Sequence, residues 1–157
     1  MVPDDASTPG TVPVTGPDPA VFSHPVGAPE MGIASLVRDA RRVDKPWGCE
    51  LVWAETDRYV GKLLVIEGGH RLSLQYHREK DEWVLVLAGR LRLHLEGDDG
   101  VIRVEELGPG EHRHVPVGRR HRYEAPVHTE LIEVSTPELW DVVRLEDDYG
   151  RQGTSEP

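Results

Sequence analysis

GHRLSLQYHREKDEWVLVLAG, residues 69–89, decides how this chain reads. A glycine opens the stretch, a glycine closes it, and Gln75, His77 and Glu82 fall within eight residues between them. Side chains alternate between the faces of an extended strand, so Gln75 and His77 share one side while Leu74 and Tyr76 share the other. The polar HREKD reads as a turn and EWVLVLA as the next strand, so that a hairpin folds Glu82 back beside the pair. Further on, PVGRRHRYEA, residues 116–125, supplies a turn at Pro116 and Gly118 and a strand that begins at His121. Gln75, His77, Glu82 and His121 are therefore four candidate ligands for one cation. Two imidazoles, a carboxylate and an amide oxygen suit a borderline divalent ion, zinc first, with manganese, iron, cobalt and nickel accepted by the same donors.

From Lys45 onward the chain is a series of short alternating or apolar runs: CELVWA, YVGKLLVIE, RLSLQYH, EWVLVLA, RLRLHLE, VIRVEEL, HRHVPV, HRYEA, TELIEVS and DVVRL. No helical spacing interrupts them, which predicts an all-β antiparallel sandwich or barrel, with the jelly roll a known solution. EGDDGV at 96–101 and LGPGEH at 107–112 read as hairpin turns. In RLRLHLE the leucines Leu91, Leu93 and Leu95 face the core, which leaves His94 on the exposed face. Ahead of this block, residues 1–29 are rich in proline and glycine and are expected to form a disordered tail. Residues 30–43 place Ile33, Leu36, Val37 and Ala40 at helical spacing and predict one short helix outside the barrel. Residues 152–157 read as a polar tail.

Composition narrows the function classes. The chain has 157 residues, enough for one domain, and a net charge of −10, which argues against nucleic acid as a partner because phosphate neutralisation needs a basic surface. A small anionic substrate needs only a local basic pocket. The lone Cys49 excludes an internal disulfide and, at the start of a strand, reads as a structural thiol of a reducing compartment. No run approaches the ~18 apolar residues of a membrane span, so a cytoplasmic protein is expected. Open sheet edges predict a homodimer.

The spacing of Gly69, Gln75, His77, Glu82 and Gly89 resembles the first cupin motif, with Gln in place of its usual first His. Gly110, Pro116, Gly118 and His121 resemble the second, with Ala125 where an Asn is usual. The Gln-x-His variant in LSLQYH, KPWG at 45–48 and RLEDDYGR at 144–151 narrow the resemblance to the phosphomannose isomerase branch over residues 44–151. That resemblance implies a single cupin jelly-roll barrel. It also implies a metal that stabilises an enediolate while a proton moves between adjacent carbons of a sugar phosphate. Lys80, two residues before Glu82, stands where a related isomerase class has a lysine beside the metal-binding Glu and is the first candidate for substrate contact or proton transfer, although the bifunctional bacterial isomerases carry Arg there. Arg144 is the best matched arginine after the second motif. Arg71, by strand parity, Lys62, in the preceding strand, and His114, two residues before Pro116, are candidates for substrate contact. Trp83 stands where those isomerases have a His after the Glu.

The same residues admit rival readings. His77, Glu82 and His121 alone form a two-histidine, one-carboxylate set that with ferrous iron activates dioxygen. A small zinc cupin acting on amino-acid-derived amines, including hydrazine formation, is a third reading. A non-catalytic metal- or sugar-binding module is a fourth, since fold alone does not establish function.

Overall fold

The computed structural model describes residues 37–154, and these form thirteen strands in two sheets. The first sheet takes β1 (Arg41–Lys45), β2 (Gly48–Glu55), β3 (Val60–Ile66), β11 (Thr129–Ser135), β6 (Glu82–Ala88) and β9 (His112–Val115) in that order. The second takes β13 (Gly153–Thr154), β12 (Val143–Glu146), β5 (Leu74–Tyr76), β10 (His121–Ala125), β7 (Leu91–Glu96) and β8 (Ile102–Leu107), with β4 (His70–Arg71) pairing β10. All pairings are antiparallel, and the fold is all-β.

Alternation fixes what lies between the sheets. Leu91 and Leu93 of β7, Tyr123 and Ala125 of β10 and Leu107 of β8 meet Leu64 and Ile66 of β3, Val84 and Val86 of β6, Leu131 of β11 and Val115 of β9 in one buried cluster with Trp47. Each fully buried Leu or Val contributes about 1.5–3 kcal/mol relative to exposure, so this cluster dominates the driving force for closing the two sheets. Inward parity on β6 also carries Glu82 into the interior beside Val84 and Val86. A second cluster, Cys49, Leu51, Leu63 and Val65, occupies the outer face of the first sheet.

Three expectations change. The tail expected at 1–29 and residues 30–36 of the expected helix lie outside the described residues. Where that helix would continue, residues 38 and 39 form a turn and 41–43 belong to β1, paired with β2 from Arg41 opposite Val52 to Lys45 opposite Gly48. Val37 and Ala40, read as one helical stripe, do pack on the outer cluster, but the pairing with β2 sets the conformation from 41 onward. LGPGEH turns the chain without making a hairpin, because β8 and β9 are edge strands of different sheets. Likewise β5 and β6 lie in opposite sheets, so the HREKD segment crosses between layers and the expected hairpin is absent.

Candidate metal centre

Each of the four expected ligands reaches the site from a different piece of chain. His121 starts β10 and is paired with Gln75 of β5, so the two share a face. His77 follows β5 in the crossing segment, and Glu82 opens β6 in the facing sheet. The ligand atoms of His77, Glu82 and His121 all lie within 4.8 Å of one another, and the three residues are buried. Glu82 Oε1 stands 3.6 Å from His77 Nε2 and 3.1 Å from His121 Nε2.

The tautomers follow from what lies behind the rings. His77 Nδ1 faces the carbonyl oxygen of Asp141, and His121 Nδ1 faces that of Arg119 at 3.0 Å. A carbonyl only accepts, so both Nδ1 atoms carry the proton and both Nε2 lone pairs point at Glu82. His77 Nε2 is buried with no hydrogen-bond partner. Three electron-rich atoms thus converge away from water, an arrangement that a cation among them would stabilise. Donors ~2.1 Å from a tetrahedral ion stand ~3.4 Å apart, which matches the two spacings measured from Glu82 Oε1. The residues fit a divalent metal.

Gln75 comes to 3.5 Å from His121 Nε2 through its amide nitrogen, while its oxygen accepts from Ser73 Oγ at 2.7 Å. A hydroxyl both donates and accepts, so the amide can turn its oxygen inward without losing Ser73. Lys80 Nζ donates to Glu82 Oε2 and, at 2.8 Å, to Glu133 Oε1; Tyr123 Oη donates to Glu82 Oε1 at 3.1 Å. Burial alone would raise the Glu82 carboxyl, but the adjacent Lys80 ammonium together with the His121 and His77 imidazoles outweighs it and holds Glu82 well below the usual range. Burial would lower Lys80, yet Glu133 and Glu82 together raise it and keep it charged. The charges continue across the first sheet: Lys62 Nζ lies 3.4 Å from Glu133 and 3.6 Å from Glu50, and Lys45 lies 3.5 Å from Glu50.

Through His77 and Gln75 the group borders a cavity of about 440 Å³ lined also by Lys80, Lys62, Glu50 and Arg144 among others. Arg144 pairs with Gln75 across β12 and β5 and therefore projects on the same face. It makes no side-chain hydrogen bond or ion pair with a described residue. Burial and the neighbouring Arg151 both lower its pKa.

Two expected contact residues lie elsewhere. Arg71 is bound by Asp148 at 2.6 and 3.0 Å and does not line the cavity. Parity does not carry from Arg71 to Gln75 because Leu72 and Ser73 separate β4 from β5; Arg71 instead pairs with outward-facing Glu124. His114 sits on the outer face of the first sheet, accepted by Asp81 at 2.9 Å and stacked on Trp83 at 5.0 Å. His94, expected to be exposed, is half-buried and hydrogen-bonds through Nε2 to the Glu124 carboxylate at 3.0 Å on the outer face of the second sheet.

Sequence reading missed Glu133, Glu50 and Asp141. The Asp141 carboxylate accepts the backbone amides of Glu79 at 2.6 Å and Lys80 at 3.0 Å, so it clamps the crossing segment while its carbonyl holds His77. No spacing rule links position 141 to position 77. The alternation of TELIEVS does place Glu133 inward, and an inward carboxylate was the available signal.

The two facing sheets with a histidine and carboxylate group between them are those of a cupin. Residues 34–147 match the family model described as mannose-6-phosphate isomerase C-terminal, and the chain belongs to that family. It is 36% identical over 116 residues to a mannose-1-phosphate guanylyltransferase of Escherichia coli K12, a match covering 71% of this chain and 23% of that protein. The chain thus spans about a quarter of the length of such relatives. Among solved structures it resembles KdgF from Halomonas sp. (20% identity, TM-score 0.55, 62% of this chain and 88% of that one). It also resembles oxalate decarboxylase from Bacillus subtilis (16% identity, TM-score 0.61, 68% of this chain and 30% of that one).

Proposed function

We propose that this protein is a metal-dependent isomerase that interconverts an aldose phosphate and its ketose, with mannose 6-phosphate the first candidate substrate. One observation carries the reading: His77, which converges with Glu82 and His121, lines a cavity where Arg144 is the one lining cation without a hydrogen bond or ion pair among the described residues. The cavity carboxylates are all matched, Glu55 by Arg41, Glu50 by Lys45 and Lys62, and Glu133 by Lys62 and Lys80. An unmatched guanidinium with matched acids selects an anion over an amine, which ranks a sugar phosphate above an amino-acid-derived amine.

His77, Glu82 and His121 would hold the metal, with Gln75 as a fourth donor once its amide turns. When bound, a divalent ion supplies Lewis-acid polarisation of a carbonyl. Lys80 and Tyr123 orient Glu82, Asp141 and Arg119 orient the imidazoles, and Arg144 binds the phosphate. Zinc leads the candidates. A cytoplasmic homodimer completes the reading.

The test is an assay of the metal-loaded protein for conversion of mannose 6-phosphate to fructose 6-phosphate. Turnover is expected, and Arg144→Met is expected to raise KM by about 10- to 100-fold, the worth of a hydrogen-bonded charge contact. Full metal loading without turnover of any aldose phosphate contradicts the reading.

A second reading has its own observation. The three buried converging ligands are two histidines and one carboxylate, while Gln75 presents nitrogen to His121. That set suits an iron-dependent dioxygenase. Oxygen consumption strictly dependent on ferrous iron, with no isomerase activity, would select it.

A further inference from the structure

Moving a proton between adjacent carbons requires a base that can take it and return it. Glu55 is bound by Arg41 at 2.5 Å and half exposed. Glu50 sits on β2, three strand spacings from β6 in the sheet order, so roughly 14 Å from Glu82 across the sheet. Glu133 sits on β11, beside β6, opposite Val84 and on the same inward face as Glu82.

Its two oxygens differ. Lys80 at 2.8 Å and Lys62 at 3.4 Å both engage Oε1. Oε2 takes no hydrogen bond from a described residue, and Glu133 lines the cavity at only 5% exposure. One oxygen is pinned by two ammonium groups and the other is left for the cavity. With its charge balanced by the two lysines, the carboxylate keeps Oε2 free to accept a hydrogen from a molecule in the cavity.

We propose that Glu133 is the general base of the isomerisation. This rests on the isomerase reading and deepens it. The C2–H bond of the aldose breaks and its proton passes to Glu133 Oε2. The electron pair forms the C1–C2 double bond as the C1 carbonyl π pair moves to O1. The proton then returns from Oε2 to C1, the proton on O2 passes to O1, and the C2 carbonyl forms. No oxidant or reductant is consumed. Lys62 and Lys80 act as positioning residues that fix the carboxylate plane.

The experiment compares metal-loaded wild type, Glu133→Gln and Glu133→Asp with mannose 6-phosphate in deuterated water. Deuterium at substrate C2 and product C1 is read by NMR, metal by elemental analysis and substrate affinity by calorimetry. Glu133→Gln is expected to keep its metal and bind substrate within about threefold of wild type, while exchange and turnover fall by about 10²–10⁴-fold. Glu133→Asp is expected to recover part of the exchange. Glu133→Gln that exchanges within tenfold of wild type overturns the assignment. So does loss of metal or binding in both variants in proportion to activity, which marks a structural role. Wild type that neither exchanges nor turns over any aldose phosphate removes the isomerase reading itself, and this assignment with it.

Discussion

At the scale of single residues, Lys80 shows how environment outranks residue type. Lys80 falls in a polar turn, REKDE, where lysine side chains are ordinarily solvated, yet it is 4% exposed and bridges Glu82 and Glu133. Removing one partner from a buried ion cluster leaves uncompensated charge and costs about 3–5 kcal/mol. Lys80→Met is therefore expected to lower unfolding free energy by about that amount in urea titration, against under ~0.5 kcal/mol for a solvated lysine. Asp147 gives the pH dependence. Burial would raise its carboxyl, but Arg151, at 2.6 Å, and the backbone amides of Arg151 and Tyr149 outweigh burial and lower it. A depressed folded pKa contributes stability above the unfolded value, ~3.9 for Asp, which is lost as pH falls through the folded value. Thermal melts between pH 7 and pH 2 should show Asp147→Asn with a flatter acid limb than wild type and about 1–3 kcal/mol less stability at pH 7. The four metal-ligand candidates were legible because their spacing is local to two short stretches. The placement of Arg71 and His114 was not, since parity counting assumes an unbroken strand and a known inward face.

At the scale of elements, the turns were legible and their partners were not. Gly89 ends β6 with φ of 83°, and a Cβ there would stand 2.2 Å from the His128 carbonyl oxygen. The left-handed conformation alone costs a non-glycine residue about 1–3 kcal/mol, and backbone oxygen cannot yield as a side chain can. Gly89→Ala should therefore lose at least that much stability by thermal melt. Glycine and proline punctuate the sequence wherever such turns fall, so strand order along the chain was readable. Which sheet each strand joins was not, because pairing of β6 with β11 and of β5 with β10 is set by contacts far apart in sequence. The same holds for the 136–142 loop, whose Asp141 supports His77 and the 78–81 turn. Groups that orient metal ligands typically account for 10–100-fold in affinity. Asp141→Ala keeps the carbonyl that accepts from His77 but removes the carboxylate that clamps residues 79 and 80, so it is expected to weaken metal binding by up to that factor in chelator competition while leaving the far-ultraviolet spectrum unchanged.

At the scale of the whole molecule, a net charge of −10 coexists with a cavity lined by Arg41, Lys45, Lys62, Lys80, Arg144 and Arg151. Composition allowed this local basic pocket but did not place it, because its cations come from strands β1, β3 and β12 as well as from turns. No helix among the described residues is long and apolar enough to cross a membrane. The apolar core closes the sheets without the metal group, so stripping metal should weaken the fold and not abolish it. A ligand at ~100 times its Kd stabilises by about 2.7 kcal/mol, which for a domain of this size is a Tm change of about 10 °C. Metal content compared between purified wild type and His121→Ala tests the account most directly. About one divalent ion per chain in wild type, lost in a folded His121→Ala, is the predicted result. A wild type that takes up no metal on reconstitution, or a His121→Ala that keeps it in full, contradicts the account.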